Sequence, residues 1–274
     1  MFWGDKMIRL FKDLWIILIV SWATFFVVTI TLELVLITFL DDIPIALLMI
    51  AFASAMLIAF FLLNHISHKR YKAIAYILDE HCDPYAFLEK MYELKKRNAG
   101  YILNKLTILN VAIAYNNIGD IENMQKALDD INGKFMHPVI TALKMCLQSN
   151  TYFQRGEFEN CRLLLNQAKD INDKSIRNKE NKRTVEFSYT TGIASLQIRQ
   201  GQTDGVEELL VPYLSPDRYM LERVSALYIL AELYYLQGRA EEEIQALQFV
   251  AQNGNRLYIA DKARKRLSEI HKLS

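Results

Sequence analysis

Tyr115-Asn116-Asn117-Ile118-Gly119-Asp120 closes one apolar run, begun at Tyr101, and leads into another at Ile121. The apolar residues before it recur at helical spacing. Glycine readily takes the left-handed backbone that ends a helix. The same break recurs at Gly156-Glu157, Gly201-Gln202 and Gly238-Arg239, at separations of 37, 45 and 37 residues. Each glycine follows a helix-period run and precedes a polar residue. Two helices per period cannot bury their apolar faces alone, so the units are expected to stack as an antiparallel helical solenoid.

The flanking punctuation agrees. Asp83-Pro84 reads as an N-cap with proline at the first helical position, and Asn98-Ala99-Gly100 ends that helix. Further helices are expected over 101–118, 121–132, 138–155 and 158–171. The polar stretch 172–183 reads as a linker. Helices then follow over 184–200, 203–214 (containing Pro212), 216–237 (opened by Ser215-Pro216), 240–252 and 257–273. No run alternates with period 2, so residues 67–274 are expected to be all-α.

From Leu106 to Val250 the chain resembles the tetratricopeptide repeat (TPR) family. Units of that family run to about 34 residues. They carry a tyrosine four residues before the glycine and small residues five and twelve after it. The first unit has Ala112, Tyr115, Gly119 and Asp120, with Met124 at a small position. The second has Tyr152, Gly156, Cys161 and Ala168, with the polar Gln148 and Ser149 in its first helix. The third has Ala194 and Gly201, with Gln197 in the tyrosine position. The fourth has Leu230, Ala231, Tyr234 and Gly238, with Glu243 at a small position. The resemblance implies a concave groove that binds a protein or peptide partner. Its register would line that groove with Asn116, Asn117, Asn150, Phe153, Thr191, Ser195, Arg199, Tyr228, Glu232 and Tyr235. Members that clamp a C-terminal carboxylate use a lysine and asparagine set. Here Asn150 and Arg199 have no matching lysines.

Ahead of the repeats lie two long apolar runs, 14–40 with the single charge Glu33 and 43–66 with none, joined by Asp41-Asp42. Roughly 20 apolar residues span a bilayer as helix, so a transmembrane hairpin is expected over 14–66. Lys6, Arg9 and Lys12 precede it, and Lys69, Arg70 and Lys72 follow it. Basic flanks favour the cytoplasmic side, which predicts a multi-pass membrane protein with both termini cytoplasmic and residues 1–13 an interfacial flank. Ala51, Ala55 and Ala59 form a small-residue face suited to helix packing. Glu33, an intramembrane carboxylate on this reading, is grouped with them as a packing residue.

Thirty-two basic and 31 acidic residues leave a net charge of +1, which gives no field for nucleic acid. Three widely spaced cysteines suit a reducing compartment. The basic clusters at 174–183 and 262–272 are interleaved with acids and read as solvated faces. His65, His68, His81, Cys82 and Asp83 lie near one another in sequence, but His81 and Cys82 are adjacent and point apart, so no metal is expected. No phosphate-loop, zinc-protease or nucleophile-elbow motif occurs, and neither catalysis nor a cofactor is expected. The expected function is a membrane-anchored scaffold for a protein or peptide. The alternatives are a peptide-sensing regulator and an accessory subunit of a larger membrane complex.

Overall fold

The structure is a computed structural model. It describes residues 72–95, 101–131 and 136–273, together with positions 54, 56, 58 and 69. Among these residues all regular structure is helical. Residues 72–79 form α1. Then follow α2 (Pro84–Lys95), α3 (Tyr101–Ile118), α4 (Ile121–Asp129), α5 (Pro138–Gln154) and α6 (Phe158–Ser175). The rest are α7 (Lys179–Arg199), α8 (Val206–Leu210) with a 3-10 turn at Val211–Tyr213, α9 (Met220–Gln237), α10 (Ala240–Asn253) and α11 (Tyr258–Leu273).

One local device builds the architecture four times. Gly119, Gly156, Gly201 and Gly238 all take positive φ, between 73° and 84°. The residue after each glycine donates its N–H to the carbonyl five residues back: Asp120 to Tyr115, Glu157 to Tyr152, Gln202 to Gln197 and Arg239 to Tyr234, each at 2.9 Å. The glycine N–H meets the carbonyl three back. This pair of bonds satisfies the last carbonyls of the helix and turns the chain directly into the next one. The backbone bond does not depend on the tyrosine side chain, so Gln197 serves in the third turn as well as the tyrosines do.

The products are four hairpins: α3–α4, α5–α6, α7–α8 and α9–α10. Their first helices pack side by side, α3 on α5, α5 on α7 and α7 on α9. Each second helix also touches the first helix of the next hairpin, and α10 touches α11. The positions expected to be small are buried: Ala112, Met124, Cys161, Ala168, Ala194, Ala231 and even Glu243. Glu243 tolerates this because Arg266 Nε donates to its carboxylate at 3.0 Å. Leucines such as Leu109, Leu165, Leu196 and Leu230 are fully buried. Each contributes roughly 1.5–3 kcal/mol relative to exposure.

The stack closes on itself. α11 packs on α3, and Tyr258 lies so near Gly119 that a Cβ there would meet its ring carbon at 3.0 Å. The α1–α2 turn docks on the α10–α11 loop. Arg256 N–H donates to Cys82 O at 3.3 Å, and Asn255 Nδ2 to His81 O at 2.7 Å. The guanidinium of Arg256 lies 4.3 Å from the Tyr85 ring centre and 3.4 Å from Asp83. One buried apolar cluster accordingly runs from Ile74 and Leu78 to Ala260 and Ala263.

Some boundaries differ from expectation. The polar stretch 172–183 is mostly helix: α6 runs to Ser175, and α7 begins at Lys179, capped by Asn178 Oδ1 on Asn181 N–H at 3.0 Å. Ser215-Pro216 opens a turn, with Arg218 N–H on Ser215 O, and α9 starts only at Met220. The α4 helix stops at Asp129. The expected breaks at 98–100 and Gly133 lie outside the described residues.

The placement in a membrane is corrected. No helix among the described residues is long and apolar enough to cross one. The physical reason is that these helices carry ionic or amide groups through their lengths, as Lys105, Asn110, Asn116 and Asn117 do in α3. The runs 14–40 and 43–66 and segment 1–13, with Glu33, Ala51, Ala55 and Ala59, lie outside the described residues. Multi-pass localisation with cytoplasmic termini is not carried forward.

Candidate functional site

The wall formed by α3, α5, α7 and α9 positions all ten residues expected to line a groove. Asn116 and Asn150 are brought together, with Asn150 Nδ2 donating to Asn116 Oδ1 at 2.6 Å. They are 34 residues apart, so this bond links equivalent positions on neighbouring first helices. Asn117 turns back to its own helix and donates to Ile113 O. Phe153 packs on Phe158 across the α5–α6 turn, with ring centres 6.3 Å apart. Thr191 likewise bonds within its helix, to Phe187 O at 2.9 Å. Ser195 is half-buried one turn before the exposed Arg199.

Further along, the Tyr228 hydroxyl donates to Glu232, one turn away on α9. Glu232 keeps a solvent-exposed surface, yet the protein behind it is dense. Burial raises its carboxyl above the ordinary range. The Tyr228 hydrogen bond, Lys262 and Arg199 pull it back down. Burial likewise raises the Tyr228 and Tyr258 hydroxyls, with Glu232 adding to both. Lys262 lies 5.1 Å over the Tyr258 ring. The result is one polar cluster from three elements: Arg199 of α7, Tyr228 and Glu232 of α9, and Tyr258 and Lys262 of α11. Two cations and one carboxylate at solvent, beside aromatic hydroxyls, can pair with side-chain or main-chain groups of an extended chain.

Tyr235 stands apart from that cluster. It is exposed, and Arg266 lies 4.3 Å over its ring. Sequence reasoning missed Tyr258 and Lys262 because they lie beyond the fourth hairpin. Their four-residue spacing in an amphipathic helix was the available signal.

The basic clusters are largely engaged. Lys174 pairs with Asp170, Arg183 with Glu222, Arg264 with Asp261, and Arg266 with Glu243. His81 meets Tyr76 edge-on, Cys82 is buried, and Asp83 caps α2 by accepting from Tyr85 and Ala86 N–H. His65 and His68 lie outside the described residues. An open cleft between α4 and α5, lined by Gln125, Lys126, Asp129, Thr151 and Arg155, shares none of the expected groove residues. Comparison with family models, curated proteins and solved structures finds no match to this chain.

Proposed function

We propose that the chain is a TPR-like helical-repeat protein whose first-helix wall binds a protein or peptide partner in extended form. The observation that carries this reading is the run of polar groups along that wall, from the Asn116–Asn150 pair to the cluster of Arg199, Tyr228, Glu232 and Lys262. Amides at repeat spacing suit a ligand that runs across several units. The ionic end suits a charged residue of that ligand. On this reading the protein acts as an adaptor, and chemistry belongs to what it gathers.

A second reading, a peptide-sensing regulator, is favoured by one observation. The stack is closed by contacts between its first and last elements, so a ligand on the inner wall would alter the closure.

Affinity capture with the full chain, followed by the same experiment with Asn150→Ala and Arg199→Ala, tests the proposal. Each variant loses about 1 kcal/mol of polar contact, or roughly fivefold in capture. Capture unchanged in both would refute the wall as the binding surface. A short peptide that raises the unfolding temperature of the full chain, with no protein captured, would favour the regulator.

A further inference from the structure

The closure is made by α1 and the turn that follows it, and one residue there is oddly placed. α1 lies at the N-terminal ends of α7 and α9. Lys72 Nζ is 3.5 Å from Glu180 Oε1 of α7. Ile74 and Leu78 are buried in the main core. Between these anchors sits Asp79, half-buried and faced by carboxylates on every side. Glu222 comes from α9, Glu180 from α7 and Glu80 from α1 itself. Tyr219, just before α9, is also within its electrostatic reach.

The nearby cations are engaged elsewhere. Arg183 and Arg218 are 2.9 and 3.7 Å from Glu222. Lys72 serves Glu180, and Arg256 from the α10–α11 loop serves Asp83. A carboxylate introduced here meets like charge in a low-dielectric setting. A neutral carboxylic acid does not.

We propose that α1 is a proton-dependent clasp: it closes the ring of hairpins while Asp79 is neutral and loosens as Asp79 ionises. Opening would expose the wall that carries Asn150, Arg199 and Glu232. This last consequence, unlike the clasp, rests on the binding role given to that wall.

Burial first, then Glu222, Glu80 and Glu180, raise the Asp79 acid from 3.8 to about 7. The sign follows from linkage. The docked state holds its proton to higher pH than the released state, so docking is strongest below about pH 4. It weakens about tenfold per pH unit up to about 7 and is flat above.

Hydrogen exchange of amides 74–83 in the full chain, as protection factors between pH 5 and 8, tests this. Expected is a fall of about 100-fold from pH 5 to 7, then a plateau. Asp79→Asn should stay protected and flat across the range. Exposed Glu180→Gln should move the start of the plateau to lower pH, and this arm stands even if Asp79→Asn does not fold. A flat profile in the native chain, or the same slope in Asp79→Asn, would overturn the clasp. So would a plateau unmoved by Glu180→Gln. Loss of partner capture with this profile intact would remove the binding role and leave the clasp standing.

Discussion

Replacing Gly119 and Gly238 by alanine separates two costs that the structure keeps apart. Both glycines sit in the left-handed region, at φ 84° and 73°. A Cβ there costs roughly 1–2 kcal/mol from its clash with the local backbone. At Gly238 nothing else lies within 4 Å, so Gly238→Ala should show that strain alone. At Gly119 the new methyl would meet the Tyr258 ring at 3.0, 3.1 and 3.2 Å. Two of those atoms are Cβ and Cγ, near the backbone of α11, so the side chain cannot simply swing its tip away. Overpacking of this kind adds about 1–3 kcal/mol. Gly119→Ala should therefore cost about 2–5 kcal/mol, against about 1–2 for Gly238→Ala. Urea unfolding followed by circular dichroism gives both values from the midpoint shift, provided the slope is unchanged. Equal losses would refute the reasoning, because they would mean that Tyr258 does not press on the first hairpin and the stack does not close there.

Other expectations are as direct. A double-mutant cycle on Asn116→Ala and Asn150→Ala should return a coupling of about 0.5–1.5 kcal/mol, and a value near zero would sever the bond between equivalent repeat positions. Cys82, Cys146 and Cys161 are all buried, and burial pushes the Cys82 and Cys146 thiols up to about 12. None should react with a thiol reagent at pH 8 until denaturant is added; rapid labelling of the native chain would contradict that. Buried Glu222 accepts from Arg183 and lies near Arg218, so Glu222→Ala should destabilise by about 1–3 kcal/mol in thermal unfolding, against a few tenths for the exposed Glu122→Ala.

Much of the fold was legible because its boundaries rest on backbone chemistry. A left-handed residue is expensive for every side chain but glycine, so the four turn glycines marked helix ends within a residue or two. Asp83-Pro84 was equally plain. The start of α7 was not. Lys179 to Arg183 is polar enough to read as linker, although Asn178 ahead of Glu180 was a usable cap signal. Ser215-Pro216 misled in the other direction, since the same pair that caps helices also opens turns.

The site was legible in part. Register along one helix face located Arg199, Tyr228 and Glu232. Local hydrogen bonding to the helix backbone, which draws Asn117 and Thr191 aside, follows no such register. Closure left no trace in any local pattern. It pairs His81 with Asn255 and Gly119 with Tyr258, and only three-dimensional packing shows such partners.

That seam sets an order of events in biogenesis. A bond spanning 174 residues closes a far longer loop than any hairpin turn does. The extra entropy is about 2 kcal/mol relative to a loop of some 20 residues. On the ribosome α1 emerges before every hairpin described above, yet its docking loop at Asn255 and Arg256 is synthesised almost last. Until then Ile74 and Leu78 lack part of their final surroundings, and it is in this interval that a chaperone would find the young chain.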